Sequence, residues 1–312
     1  MLTIIGTMKK KIIFILNPIS GTVSKAGIPK LIEERLDKET FDYDIAETEY
    51  AGHATELAKK AAEKGVDIVV AIGGDGTVNE VGRALINTET AMAILPCGSG
   101  NGLARHLRLP MNLKKCIDII NMCDIHSLDY GIINQHPFFC TCGMGFDAFI
   151  SMKFANAGKR GPITYVQQVL EEGVKYIPET YEIEDEDGIQ HYKAFLVSAA
   201  NASQYGNNAY IAPQASMSDG LLDIIIMEPF DIIDAPQVAI ELFNKTLDKN
   251  LKIKTFKAKH LHIHRKQAGL IHFDGDPVIS DADVDISIVP KGIHILVNPN
   301  GDKGDRQPNI LQ

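Results

Sequence analysis

The sequence predicts an α/β domain with a parallel sheet, followed by a second domain that is a mainly antiparallel β-sandwich. Between about residue 11 and residue 107, short buried-strand patterns alternate with amphipathic helical patterns, as in a parallel sheet covered by helices. From residue 132 onward the helical patterns thin out and strand-like runs follow one another, which is typical of antiparallel pairing.

The chain length agrees with this division, because 312 residues are many for one hydrophobic core. We place the first domain at residues 1–133 and the second at residues 134–298. The tail, residues 299–312, is expected to be loose unless it packs back on the first domain.

The first domain reads as four strand–helix units. Gly65 suits the left-handed position that ends the second helix. The strands are expected at Ile12–Leu16, Phe41–Ala46, Asp67–Ile72 and Ala91–Leu95, and the helices at Ile28–Leu36, His53–Lys64, Val78–Leu85 and from Leu103 onward.

The second domain reads mainly as strands, with an acidic hairpin turn at Glu184–Gly188. Helices are expected near Ile163–Tyr176 and Ala235–Lys245. The strands are expected at Pro137–Cys142, Ala194–Ala199, Leu221–Met227, Leu251–Phe256, His260–His264, Leu270–Phe273 and Asp285–Val289.

Composition excludes several classes of protein. A formal net charge of -9 argues against a nucleic-acid binder, which would need a basic surface. No stretch is long and apolar enough for a transmembrane helix. Five cysteines without a C-x-x-C pair indicate reduced thiols and a cytoplasmic protein. A membrane-borne substrate stays open, and it would be met through a small apolar surface during transient peripheral contact.

The stretch Asp67–Leu85 is the centre of the functional prediction. A buried strand, three glycines in four positions and a helix present free backbone N–H groups and the positive end of a helix dipole to an anion. Asp75 lies among the glycines and repels phosphate, and a Mg²⁺ ion between the two resolves that conflict. These residues therefore predict a nucleoside triphosphate site.

Two better-known phosphate loops are excluded by the sequence. The sequence has no G-x-x-x-x-G-K-[ST] loop, and Gly98–Gly102 lacks the third glycine of the dinucleotide fingerprint. The plain structural alternative is a tight strand-to-helix turn in which Thr77 caps the helix.

Four motifs in the same order resemble the diacylglycerol kinase catalytic family, which also includes the ceramide and sphingosine kinases. They are Asn17–Gly21, Gly73–Glu80, Pro96–Asn101 and Asp274–Asp276. The resemblance spans nearly the whole chain, from about residue 11 to residue 299. It implies a lipid kinase with the fold that this family shares with NAD kinases, and ATP and Mg²⁺ as its cofactors.

The nucleotide would be bound by loops that follow strands, where open α/β sheets bind ligands. The candidate residues are Asn17, Pro18, Ser20, Gly21, Thr48, Gly73, Gly74, Asp75, Gly76, Thr77, Asn79, Glu80, Gly98, Ser99 and Asn101.

The catalytic residues follow from the resemblance. The second acid of the Asp274–Asp276 motif is assigned as the base in related lipid kinases; it is normally a glutamate there and is Asp276 here. Asp274 would support it, and Asp75 with Asp129 would hold the catalytic Mg²⁺. Gly102 stands where related kinases often carry a third carboxylate. Taken alone, the same motif reads as an Asp-Gly hairpin turn.

A second magnesium site is implied by the segment Ser216–Asp223. It resembles the segment that holds a structural Mg²⁺ in bacterial members, through the backbone carbonyls of Ser216 and Leu221 and the carboxylate of Asp219. Such oxygen donors suit a hard cation. A turn before a strand is the equal alternative.

The function predicted is transfer of the γ-phosphate of ATP to the hydroxyl of a diacylglycerol-like or long-chain-base lipid. Two alternatives remain: an NAD kinase-like enzyme, which shares the Gly73–Thr77 loop, or a nucleotide-binding protein without turnover. The acceptor lipid and the oligomeric state, a homodimer included, are left open.

Overall fold

The computed structural model describes residues 9–21, 24–157, 172–173 and 176–301. Its two parts confirm the predicted fold class: an α/β part whose sheet is mostly parallel comes first, and an antiparallel β-sandwich follows. Among the described residues, no helix combines the length and apolar character needed to cross a bilayer.

The first part is a parallel sheet in the order β2-β1-β3-β4. Because these strands run in one direction, their carboxyl ends lie at one edge, and the loops that follow them converge there. The strands are β1 (Lys10–Leu16), β2 (Phe41–Glu47), β3 (Ile68–Gly73) and β4 (Ala91–Pro96), and the helices are α1 (Ile28–Arg35), α2 (His53–Glu63), α3 (Asp75–Leu85), α4 (Gly102–His106) and α5 (Leu113–Met122).

The second part contains twelve further strands among the described residues. They are β5 (Ile125–Ile133), β6 (His136–Phe138), β7 (Thr141–Gly145), β8 (Glu179–Asp185), β9 (Gly188–Ala194), β10 (Leu196–Ala200), β11 (Leu222–Met227), β12 (Ile253–Ala258), β13 (His260–Arg265), β14 (Gly269–Phe273), β15 (Asp276–Ser280) and β16 (Asp283–Leu296). Its helices are α6 (Phe146–Ala157) and α7 (Ala235–Asn244), with 3-10 turns at Ile232–Asp234 and Leu247–Lys249.

The sandwich core lies between two sheets. One sheet has the order β12-β11-β10-β7-β14-β15, and the other contains β5, β6, β16, β13, β8 and β9. Alternate apolar residues point inward, so Met144 and Ile224 of the first sheet share a core with Tyr181 and Ile263 of the second. A separate cluster rich in aromatic side chains, which we call the aromatic cluster, covers the outer face of the first sheet beneath α6 and α7: Phe146, Phe149, Tyr176, Phe195 and Phe230.

Strand β16 belongs to both parts of the molecule. Its first half pairs with β13 of the sandwich, and its last residues lie parallel to β4, with Ile295 opposite Met92. Strand β5 follows β16 along both halves, with a register shift between Val289 and Ile293. The sheet of the first part therefore continues into the sandwich, and the predicted boundary at residues 133 and 134 stays a prediction.

Several sequence-based elements differ from the structure. The single strand predicted at Pro137–Cys142 is wrong: Phe139 and Cys140 separate β6 from β7, because their N–H groups are bonded to the Asp274 carboxylate. The strand predicted at Asp285–Val289 is the middle of the longer β16. Helices α5 and α6 were not predicted. Most of the helix predicted at Ile163–Tyr176, and residues 302–312 of the tail, lie outside the described residues.

Candidate active site

Three loops meet at the carboxyl edge of the parallel sheet. They follow β1, β3 and β4, and glycine lets their backbones touch. A Cβ on Gly98 would lie 2.5 Å from Cα of Gly74, and one on Gly21 would lie 1.9 Å from the carbonyl oxygen of Cys97. Gly21 also has φ +70°, which favours glycine. The predicted phosphate loops therefore pack directly against one another through their glycines.

Helix α3 begins within the glycine loop itself. Its first residue is Asp75 and its N-cap is Gly74, so Thr77 does not cap the helix as the plain structural alternative supposed. Thr77 lies inside the first turn, where its hydroxyl oxygen accepts a hydrogen bond of 3.1 Å from the amide of Asn17. Gly76 is exposed, and a Cβ there would meet nothing within 4 Å. The N-terminus of α3 thus opens to solvent beside Gly76.

The Asp75 carboxylate ties the second loop to the third. Its two oxygens accept hydrogen bonds from the backbone N–H groups of Asn101, at 2.9 Å, and Gly102, at 2.6 Å. Burial raises the pKa of Asp75, and these two bonds act against that rise. Asp75 is the first residue of α3, three residues before the predicted start of this helix, and one lone pair of each of its oxygens is engaged by the protein.

The other candidates for the nucleotide site differ in their hydrogen bonds and in their exposure to solvent. Glu80 accepts hydrogen bonds from the N–H groups of Gly52 and Ala54, so it satisfies the start of α2. Thr48 is buried, and its backbone N–H donates a hydrogen bond to the carbonyl oxygen of Leu16, the last residue of β1. The side-chain nitrogen of Asn79 is buried without a protein partner among the described residues. The remaining members lie on the loops: Pro18 and Ser99 are exposed, Ser20 and Gly73 are at least partly covered, and Asn101 is buried.

Asp274 lies at a tight turn between β14 and β15, with φ +53°. Its carboxylate accepts three backbone hydrogen bonds, from Phe139 at 2.8 Å, Cys140 at 2.7 Å and Thr141 at 3.1 Å. Burial nevertheless raises its pKa to about 6, against these bonds and the charge of Arg83. Asp274 therefore fixes the hairpin to the loop between β6 and β7.

Asp276, the predicted base, projects from the same turn and is about half exposed. Its Oδ2 lies 3.0 Å from the guanidinium of Arg83 on α3. The same guanidinium stacks 4.8 Å from the ring centre of Phe273, and its Nε lies 3.4 Å from the carbonyl oxygen of Pro137. Arg83 is thus held on three sides, and it fixes one oxygen of Asp276.

The glycine loop and the acidic hairpin, nearly two hundred residues apart in sequence, are neighbours. Burial raises the pKa of the Cys140 thiol well above its ordinary range, and the charges of both Asp274 and Asp75 add to the rise. Gly82 of α3 packs so closely on the Phe139 ring that a Cβ would lie 2.6 Å from it. Helix α3 therefore packs directly on the loop whose N–H groups bind the Asp274 carboxylate.

Asp129 belongs to a different group of contacts. Its carboxylate accepts hydrogen bonds from the backbone N–H groups of Gly220, at 2.8 Å, and Lys291, at 2.7 Å. Burial raises its pKa, and the charge of Asp219 adds to this effect. The structure thus joins Asp129 to the segment predicted to hold a structural magnesium.

Within that segment, Asp219 is already paired. One oxygen lies 2.7 Å from the ammonium of Lys257, which also binds Asp223 at 3.0 Å, and the other accepts the N–H of Leu221. The described residues contain no group of three His, Cys, Asp or Glu side chains suited to a metal ion. The oxygen donors at Ser216, Asp219 and Leu221 suit Mg²⁺, but the ion would compete with Lys257.

Sequence reasoning missed five side chains around the hairpin. Arg83 is described above. Nε2 of His272, buried on β14, lies 3.0 Å from Asp147, and the hydroxyl of Tyr205 lies 3.4 Å from the same carboxylate. The amide of Asn201 donates to the carbonyl oxygens of residues 129 and 139. The position of His272, two residues before Asp274, is the one signal that could have indicated its role.

Glycine loops at the carboxyl edge of a parallel sheet, followed by a helix that is ion-paired to a carboxylate hairpin, fit a class of protein, the phosphotransferases that act on a hydroxyl group. Family models agree. The diacylglycerol kinase catalytic domain matches residues 11–133, and the YegS C-terminal NAD kinase beta sandwich-like domain matches residues 140–297. The chain belongs to the diacylglycerol kinase catalytic family and is a lipid kinase.

Individual proteins show the same likeness. A diacylglycerol kinase of Staphylococcus saprophyticus is 26% identical over 274 residues, covering 86% of this chain and 90% of the relative. A putative diacylglycerol kinase of Bacillus anthracis has a similar fold, with a TM-score of 0.75, 22% identity, and coverage of 94% of this chain and 99% of that one. An NAD kinase of Archaeoglobus fulgidus, solved with ATP, has a TM-score of 0.54 and 12% identity, with coverage of 93% and 94%.

Proposed function

We propose that this lipid kinase transfers the γ-phosphoryl group of ATP to the hydroxyl of a diacylglycerol-like or long-chain-base lipid. The observation that carries the proposal is the ion pair between Arg83 and Asp276, which joins the helix of the glycine loop to the acidic hairpin. Phosphoryl transfer requires an acceptor hydroxyl, a base and a triphosphate in one place, and little else from the protein.

The glycine loops fit a triphosphate. Gly21 and Gly98 have no room for a side chain and Gly74 has little, whereas the space beside Gly76 is open. An anion there would meet the N-terminal N–H groups of α3 and the positive end of its dipole. The other candidate residues on these loops stay predictions as contacts of the nucleotide.

Asp276 would accept the proton of the lipid hydroxyl while that oxygen attacks the γ-phosphorus, and ADP would leave with its bond to the phosphorus broken. Arg83 occupies one carboxylate oxygen, which leaves Oδ1 to face the hydroxyl. Asp274 supports the hairpin through its three backbone hydrogen bonds.

Mg²⁺ is expected to accompany the nucleotide, with Asp75 as the carboxylate nearest to the glycine loop and Asp129 as the second predicted ligand. When bound, the ion neutralises phosphate charge. A free lone pair on each Asp75 oxygen fits such a role. The magnesium at Ser216, Asp219 and Leu221 stays a prediction.

The acceptor chains have an apolar region near the hairpin. Asp147, which bonds His272, follows directly on Phe146 of the aromatic cluster. Apolar walls with a few convergent polar groups are typical of lipid and small-molecule sites. Such an acceptor resides in a bilayer, so the enzyme would work from the cytoplasm in transient peripheral contact with a membrane.

The test is a kinase assay with labelled ATP, Mg²⁺ and a panel of lipids in detergent micelles. We expect label in a lipid product and a loss of at least about a hundredfold in Asp276→Asn. Asp187→Asn, in the exposed turn between β8 and β9, is the matched control and should keep full activity. Full activity of Asp276→Asn would refute the role of the base, and NADP formation without any lipid product would favour the NAD kinase alternative.

A further inference from the structure

Helix α7 carries an apolar stripe that faces solvent. No residue of the helix is buried, and Ile240 and Phe243 are 54% and 46% exposed. Ile233, in the preceding 3-10 turn, is 83% exposed. With Pro236 these residues follow one another at spacings of three and four, which places them on one side of a helix.

Leu251 extends this stripe. It is 97% exposed, and the amide of the neighbouring Asn250 lies 2.6 Å from Glu241 of α7. The turn that carries Leu251 is therefore fixed against the helix. We call the five side chains the apolar face: Ile233, Pro236, Ile240, Phe243 and Leu251. Contiguous apolar surface of this kind usually marks an interaction site.

The inner side of α7 connects the apolar face to the active site. Val238 and Leu242 pack against the aromatic cluster, and the carbonyl oxygen of Leu242 accepts the N–H of Tyr210 at 2.8 Å. Tyr205, in the same loop as Tyr210, reaches Asp147. An apolar path of protein thus runs from the exposed helix to the acceptor side of the hairpin.

The charges beside the apolar face are basic at one end. Lys245, Lys249 and Lys252 are exposed next to Leu251, and none forms an ion pair with a carboxylate in the part of the chain that the structure describes. Of the acidic residues, Asp231 and Asp234 lie at the opposite end of α7, whereas Glu241 and Asp248 lie near the lysines; Glu241 accepts hydrogen bonds from the side-chain amides of Gln237 and Asn250. In a chain of net charge -9, three exposed ammonium groups beside apolar side chains match a surface of phosphate headgroups, and one of them, that of Lys245, also lies 4.3 Å from the ring centre of Tyr210.

We propose that the apolar face and these three lysines dock the enzyme on a bilayer that contains anionic lipids. The apolar side chains enter the boundary between headgroups and acyl chains, and the ammonium groups bind lipid phosphates. The inference rests on the proposed function, because an acceptor lipid in the bilayer would then lie beside the aromatic cluster and the hairpin.

The test is co-sedimentation with vesicles of phosphatidylcholine, with or without about one third phosphatidylglycerol, a fraction that gives the vesicle a negative surface potential. Three proteins are compared: the wild type, the double variant Ile240→Asp/Phe243→Asp, and the control Ile189→Asp. Ile189 is 57% exposed on β9 and so matches Ile240 in exposure. Circular dichroism and Tm establish that all three are folded, and their molecular masses are measured by analytical ultracentrifugation.

We expect the wild type and Ile189→Asp to bind the anionic vesicles, and the double variant to bind at least about tenfold more weakly. A fourth protein, Lys249→Glu/Lys252→Glu, should bind vesicles with and without phosphatidylglycerol equally. Equal binding by wild type and double variant, or no binding by either, would overturn the proposal. A wild-type dimer that the double variant converts to monomers would overturn it as well, because the apolar face would then be a subunit interface.

A second measurement separates this inference from the proposed function. The acceptor is supplied as a short-chain lipid below its critical micelle concentration, so that no bilayer is needed. The variant Ile240→Asp/Phe243→Asp should phosphorylate this short-chain lipid at the wild-type rate while losing activity on the vesicle-borne lipid. If neither the wild type nor any variant phosphorylates the short-chain or the vesicle-borne lipid, but the wild type still sediments with vesicles, the proposed function fails and the docking surface stands.

Discussion

The guanidinium of Arg83 lies 3.0 Å from the carboxylate of Asp276, although 193 positions separate the two residues. Arg83 is on the helix that the glycine loop begins, and Asp276 is on the hairpin that would hold the acceptor hydroxyl. The ion pair therefore fixes the hairpin to the helix that begins in the glycine loop, which would set the distance between the proposed base and the proposed nucleotide site.

Replacement of Arg83 by glutamine should lower kcat by about ten- to a hundredfold, because Asp276 would lose the contact that orients it. The KM for ATP should change little, since the glycine loops are untouched. Steady-state kinetics measure both. Arg35→Gln is the control, because Arg35 forms an equally close pair with Asp118 at the surface of α1 and α5. An unchanged kcat in Arg83→Gln would contradict the positioning role.

Asp276→Glu restores the residue that related lipid kinases normally carry, yet we expect it to be slower here by about tenfold. The extra methylene moves the carboxylate by about 1 Å, and Arg83 and the hairpin are already spaced for aspartate. The kinase assay with saturating ATP measures the effect, and Arg83→Lys/Asp276→Glu is the companion variant. A rate above that of the wild type would mean that the hairpin is not adapted to the shorter acid.

The raised pKa of Asp274 predicts how stability depends on pH. A carboxyl with a pKa of 3.8 in the unfolded chain and about 6 in the folded one binds its proton more tightly when folded. As pH rises from about 4 to about 6, the folded state loses this proton later than the unfolded state, so this group lowers the free energy of unfolding by up to about 3 kcal/mol.

Urea unfolding of the wild type and Asp274→Asn across this range measures the effect. The difference between the two proteins should fall with pH and level off above about pH 6 to 7, because the variant has no carboxyl to titrate there. Parallel curves for the two proteins would show that Asp274 titrates near its ordinary value.

Gly76→Ala separates the structural role of a glycine from a ligand-binding one. The position is helical, with no positive φ and no neighbour within 4 Å of a Cβ, so alanine should raise stability by about 0.5–1 kcal/mol. A phosphate that approaches the backbone there would instead meet the new methyl group. We therefore expect weaker ATP binding, by about tenfold, in a protein of higher Tm.

Isothermal titration with ATP and thermal unfolding measure the two effects. Gly27→Ala is the control, because Gly27 is equally open and lies before α1. The Tm of Gly27→Ala can differ from that of the wild type, but its affinity for ATP should be unchanged. Unchanged ATP affinity in Gly76→Ala would place the phosphates elsewhere.

The parallel half of the fold could be predicted closely, because each of its signals is local. The buried run at residues 68–72 and the helical pattern after Asp75 are contiguous in sequence, and the observed β3 and α3 differ from the prediction by a few residues. The family fold and the lipid kinase class followed from four motifs in order. These features need no knowledge of which residues meet in space.

The contacts at the hairpin could not be predicted in the same way. Nothing in the sequence at Phe139 or Cys140 indicates that their N–H groups donate to the Asp274 carboxylate. The sequence therefore predicts one strand where the structure has two. Arg83 reads as an ordinary solvent-facing helix residue, and its partner lies far along the chain. Lys257 likewise changes the surroundings of Asp219 from the opposite strand. In each case the deciding partner is distant in sequence.

Strand β16 runs from the sandwich into the parallel sheet of the first part, with a register shift between Val289 and Ile293. Two lobes that share a strand cannot swing apart as hinged bodies without breaking a ladder of backbone hydrogen bonds. We therefore expect turnover to proceed on a stiff frame, in which substrates enter and products leave through side-chain and loop movements.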